Sequence, residues 1–157
     1  MKKSILMVFS GLVMFAMVGC GVSATKYNDN VVDIHTKASN YLTKVSDKLD
    51  YNALSAAEKQ SIADSLKIKI DAWTKQIKDL KYPASAEEYQ GSMVKYFEFL
   101  QSDVVPVMQN LFLSANKDEF NSHVDAFNTV LQTGMKLEDE IEAKQVEFAR
   151  KNNMQLR

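Results

Sequence analysis

Two histidines, one cysteine and 20 carboxylate side chains are where this 157-residue chain could hold a metal, attack a bond or move a proton. His35 stands beside Ile34 and His123 beside Val124. Each flanks an apolar helical stripe, a position from which an imidazole could ligate haem iron inside a helix bundle. At 1.5 Å per helical residue the two come out ~15 Å apart in height on neighbouring helices, too far to share one iron. A pairing of either with Met93, Met108 or Met135 stays open, whereas covalent c-type haem is excluded, because no Cys-x-x-Cys-His segment is present. A dinuclear carboxylate site needs paired Glu-x-x-His on inward faces, and none occurs. Glu119 and His123 are four apart, but Glu119 is accounted for by a helix cap. Glu138, Asp139, Glu140 and Glu142 are interspersed with Lys136, Lys144 and Arg150, the pattern of a solvated helix face. Gly-x-Ser-x-Gly elbows and glycine-rich phosphate loops are absent. No catalytic residue, metal site or cofactor is assigned, and the chain is read as not an enzyme.

The cysteine has a different context. Lys2 and Lys3 precede an uncharged run from Ile5 to Val18, which ends in Met17-Val18-Gly19-Cys20. A spanning helix needs ~20 apolar residues, so this run is short for one. A positive start, an apolar middle and small residues at the exit are the order of a secretory signal peptide. Met17 to Cys20 also resembles the lipobox of bacterial lipoproteins, with methionine where leucine is usual and of similar bulk. The resemblance implies that the Cys20 thiol receives a diacylglyceryl group and that cleavage leaves Cys20 as the first residue, commonly with a further amide-linked chain. One acyl chain binds a membrane marginally, whereas two or more anchor it stably. Gly21, rather than Asp, follows the cysteine. By analogy this implies the outer membrane if the host is Gram-negative, and an outward-facing position on the single membrane if it is Gram-positive.

Loss of residues 1–19 would remove Lys2 and Lys3, leaving 17 basic against 20 acidic side chains and a formal charge of −3. Both signs are interspersed, and no basic stripe exists to follow phosphates, which argues against nucleic acid as a partner. With Cys20 acylated, no thiol remains for a disulfide, a thiolate metal ligand or a nucleophile. Stability must come from burial. Glycine and proline after the apolar run are Gly21, Gly91, Gly134, Pro83 and Pro106, too few for the turns of an all-β fold.

The elements that must position these residues are helices. Tyr27, Val31, Ile34, Ala38, Tyr41, Val45 and Leu49 recur every three or four positions, one face of a first helix. Ser55-Ala56-Ala57-Glu58 has capping-box spacing and opens a second, with Ile62, Leu66, Ile70, Trp73, Ile77 and Leu80. Tyr82-Pro83 ends it. Ser85 to Glu88 reads as another capping box before a third helix carrying Tyr89, Met93, Phe97, Leu100, Val104, Met108 and Leu111. Pro106 predicts a kink one turn earlier. Asn116 to Glu119 caps a fourth, with Phe120, Val124, Phe127, Leu131, Gly134, Leu137, Ile141 and Phe148. Trp73, Phe97, Phe120 and Phe127 are expected as core anchors. Tyr96, Phe99 and Phe112 widen the apolar surface of helix three beyond one stripe. That is a face touching two neighbours, or a groove for a partner, a lipid or an apolar ligand.

The expectation is an all-α protein, an antiparallel up-down-up-down four-helix bundle after a cleaved lipoprotein signal peptide. Residues 1–19 form the signal peptide and residues 20–26 the acylated cysteine with a tether of at most ~20 Å. The bundle covers 27–152, and 153–157 read as frayed. The whole chain resembles small helical surface lipoproteins of bacteria. That places it in the cell envelope, held to the membrane through acyl chains on Cys20, with a non-catalytic domain for contact with an envelope or host protein. The alternative is a bundle that binds haem, metal or a small apolar molecule.

Overall fold

Ser55 and Glu58 show how this chain starts a helix. The Ser55 hydroxyl accepts from the Glu58 N–H, and the Glu58 carboxylate accepts from the Ser55 N–H at 2.9 Å, so two otherwise orphaned donors are satisfied. Helix α2 (Ala56–Asp79) follows. Helix α1 (Ala24–Ser46) begins three residues before Tyr27, because the Ser23 hydroxyl accepts from Lys26 N–H and caps it there. The computed structural model describes residues 22–49 and 54–155; the apolar run and Cys20 lie outside them.

The capping box expected at Ser85 does not form. Pro83 leads into a single 3-10 turn, Ala84–Ala86, and the Ser85 hydroxyl is drawn to Asn152 Oδ1 at 3.2 Å instead. Helix α3 (Glu87–Phe99) starts without a side-chain cap. The disturbance expected ahead of Pro106 is a π-helical turn, Leu100–Val104, closed by the Val105 N–H bonding to Leu100 O. The widened turn relieves the clash that a proline ring makes with the carbonyl four residues back. Helix α4 (Val105–Leu113) continues the same rod.

Asn116 Oδ1 accepts from Glu119 N–H at 2.9 Å and starts α5 (Lys117–Lys151). The described residues contain four helical stretches and no strand. Residues beyond 152 read as frayed in the sequence. In the structure Asn153 takes a left-handed φ of 52°, Met154 N–H bonds Ala149 O at 2.9 Å and Asn153 N–H bonds Arg150 O at 3.3 Å. That is a Schellman stop, with Met154 packed on the core as its apolar contact.

Helix α2 packs on α1, α3 and α4, and α5 packs on α3 and α4. The core joins Tyr27, Val31 and Ile34 of α1 to Leu66, Ile70 and Ile77 of α2, Met93 and Phe97 of α3, Met108 of α4 and Phe148 of α5. Burying each large apolar side chain contributes roughly 1.5–3 kcal/mol. Of the four expected anchors only Phe97 is fully buried; Trp73 and Phe127 are partly covered, as is Phe120. Trp73 lies at the rim, edge-on to Tyr41 at 5.6 Å with the Lys69 ammonium over it. Tyr27 and Phe148 take the anchoring role, their rings 5.6 Å apart.

A polar latch sits inside this core. The Tyr27 hydroxyl donates to Gln90 Oε1 at 2.8 Å, and Gln90 Nε2 donates to Ile77 O at 2.7 Å, tying α1, α3 and α2 together. Gln90→Leu should lower the unfolding free energy by about 2–3 kcal/mol, since Tyr27 Oη and Ile77 O both lose their buried partner. In urea denaturation Tyr27→Phe combined with Gln90→Leu should cost less than the sum of the single changes, and strict additivity would show that the latch does not exist.

Candidate functional site

Along most of its length α1 does not pack closely on α5. The two are joined near one end by Tyr27 against Phe148 and by Gln145 Nε2 donating to Asn28 Oδ1 at 2.9 Å. Between them runs a groove with two compartments that meet at Ser39 and Glu138, which line both. The polar compartment, about 1080 Å³, is edged by Asn28, Asp29, His35, Glu142 and Gln145. The apolar one, about 310 Å³, is walled by Leu42, Phe99, Val104, Met108, Phe127 and Leu131.

The sequence explains the opening. Helix α5 carries a regular apolar stripe, yet only Ile141, Phe148 and Ala149 are buried along its 35 residues. Leu131 and Met135 stay 46% and 58% exposed at the groove's edge. Gly134 faces Phe99, and a Cβ placed on it would meet the ring edge at 3.5 Å, an ordinary contact. Close helix packing therefore does not require glycine there, and what its missing side chain provides is open space in the apolar compartment.

At the junction the Tyr96 hydroxyl donates to Glu138 Oε1 at 3.0 Å. His35 lies against Tyr96, ring centroids 5.3 Å apart, and its Nε2 is buried without a hydrogen-bond partner. Burial holds this imidazole below the usual histidine range, with the Glu138 carboxylate pulling the other way. Burial first, then the adjacent Glu138, raises the Tyr96 phenol above its ordinary value. His123 is elsewhere, half-buried on α5 with Nε2 3.9 Å from Glu119 Oε1. It stands 15 residues before Glu138 on the same helix, ~22 Å along the axis, so the two histidines are not brought together. Met108 and Met135 reach the apolar compartment, whereas Met93 is enclosed in the core. No group of three or more His, Cys, Asp or Glu that could hold a metal occurs among the described residues.

The acidic cluster of α5 is partly occupied in holding helices together. Glu140 pairs with Lys95 of α3 at 2.7 Å, and Lys144 pairs with Glu88. The Ser-x-x-Lys spacing of some serine nucleophiles occurs at Ser23 and Lys26, Ser92 and Lys95, and Ser114 and Lys117. The structure accounts for each hydroxyl. Ser23 caps α1, Ser92 Oγ donates to Tyr89 O and Ser114 Oγ donates to Asn110 O. The groove was legible only as the excess of aromatics on helix three, since nothing in the periodicity of helices one and four tells a covered stripe from an open one.

A neutral buried imidazole has a signature in stability. His35 titrates near ~6.5 when unfolded and lower when folded, so between the two values the unfolded chain binds more protons. Stability is present above the ordinary histidine range and is lost as pH falls through it. The charged and titratable groups facing the ring are Tyr96 from α3 and Glu138 from α5. From about pH 7.5 to about pH 5.5 the urea midpoint should fall in the wild type and fall less in His35→Phe. An equal fall in both would contradict the burial of His35.

Structurally this is an all-helical protein with an open groove between its first and last helices. No described helix is long and apolar enough to cross a membrane. Comparison with protein-family models, curated proteins and solved structures finds no match to the chain.

Proposed function

We propose that this chain is a lipid-anchored protein of the bacterial cell envelope whose helical domain is a non-catalytic binding module. The observation that carries the reading is Met17-Val18-Gly19-Cys20 closing an apolar run, with three residues between it and the opening of the helical domain at Ala24. Acyl chains on Cys20 would hold the domain within ~10 Å of the lipid surface, because three extended residues reach no further. The helices alternate in direction, up-down-up-down, which sets the start of α1 beside the end of α5 and runs the groove along the bundle. Contact with an envelope or host protein is one use of that surface. The groove favours the second reading, a small apolar or amphiphilic ligand, because its volume is on the scale of small-molecule sites, ~300–1,000 Å³.

Intact-mass analysis of protein purified from a bacterial membrane tests the anchor. The expected species begins at Cys20 and carries diacylglyceryl mass, with or without a third acyl chain. A chain that retains residues 1–19, or one that begins at Cys20 with no added mass, overturns the reading.

A further inference from the structure

The groove is lined by carboxylates without a cation among them. Among the described residues no Lys or Arg lines either compartment. The ionic side chains that do are Asp29, Glu138 and Glu142. Beside them is His35, whose Nε2 is buried and unpartnered. That nitrogen is closed off from solvent, so the open acceptor at the junction is the neighbouring carboxylate. Glu138 offers two acceptor oxygens, of which Tyr96 occupies Oε1.

The other end of the groove is apolar, with Glu138 as its one charged lining residue. A site with a greasy pocket at one end and acceptors without cations at the other selects by both properties. Carboxylate or phosphate heads would meet three like charges and no counter-ion, which disfavours them. An ammonium head would meet complementary charge. A helix is ~10–12 Å across with its side chains, too wide for an apolar compartment of this size, which suits a single chain or a compact hydrocarbon body.

We infer that the α1–α5 groove binds a cationic amphiphile, with its hydrocarbon part between Phe99, Met108, Phe127 and Gly134 and its ammonium group at Glu138. This deepens the small-ligand reading and rests on it. Glu138 accepts from the ammonium N–H and supplies the opposite charge.

The test uses the full chain in lipid nanodiscs, labelled with 13C at the methionine methyls and titrated with decylammonium, decanoate and decanol. Met108 and Met135 report the apolar compartment, and Met93 in the closed core is the internal control. Decylammonium should give saturable shifts at Met108 and Met135 but not at Met93, and decanoate should give none at the same concentration. Glu138→Gln should weaken decylammonium roughly tenfold or more while leaving decanol unchanged, because one charge-assisted bond is removed. Gly134→Leu should abolish the shifts for every probe. Should Gly134→Leu fail to fold, Glu138→Gln still decides the matter. Decanoate binding as tightly as decylammonium, equal binding of all three probes, or no saturable shift with any of them overturns the inference. The mass of the N-terminus reports the anchor separately, so either idea can fail without the other.

Discussion

Phe97→Ala lowers the unfolding free energy by about 3–5 kcal/mol, the cost of emptying a large, enclosed aromatic site. Phe97 is fully buried on α3, packs edge-to-face on Tyr96 at 5.7 Å, and its carbonyl lies 3.3 Å from the Thr74 hydroxyl of α2. The surroundings can collapse little, because the neighbouring α2 side chains Leu66, Ile70 and Ile77 are themselves fully buried in the same core. The loss is comparable to the whole stability of many small domains. Chemical denaturation at neutral pH measures it. Trp73→Ala provides the contrast, since its ring is only partly covered and should cost less. A smaller loss for Phe97 than for Trp73 would show that the centre of the core lies elsewhere.

Cys20→Ser should abolish incorporation of labelled palmitate into the protein, a complete loss rather than a graded one. The acceptor in lipobox chemistry is a thiol sulfur, and a serine hydroxyl does not replace a thiolate as nucleophile. Without two or more acyl chains, stable membrane attachment through residue 20 is lost. Metabolic labelling followed by immunoprecipitation reads the result directly. Label that persists in Cys20→Ser would place the lipid on another residue or exclude lipidation at this site altogether.

Both predictions draw on features of unequal visibility in the chain. The core stripe of α1 was plain, because Tyr27, Val31, Ile34, Ala38 and Val45 recur at helical spacing and all are buried. The caps at Ser55 and Asn116 were plain too, since a short polar side chain with a glutamate three residues on has few other local uses. Ser85 had the same spelling and went to Asn152, a residue 67 positions away that no local pattern could supply. Nothing local marks Gln90 as a core residue, and its place in the latch depends on Tyr27, 63 positions earlier. The stripe of α5 was visible as a stripe, but whether another helix covers it is decided by the course of α1. The isolated nitrogen of His35 is likewise a product of what Tyr96 does across the bundle.

The π turn at Leu100–Val104 has a geometric corollary for the groove. Each residue of an α-helix advances the side-chain direction by ~100°, so a turn that takes in one extra residue rotates everything after it relative to everything before. Helix α3 leans more on α5 and α4 more on α2, as though the rod had been twisted partway along. Pro106 thus acts as a gear between two partners, turning the lower half of the rod toward α2, while Phe127, Val130 and Leu131 form the α5 wall of the apolar compartment. The angular phase of this rod sets the floor of the hollow, and the course of α1 leaves its mouth open.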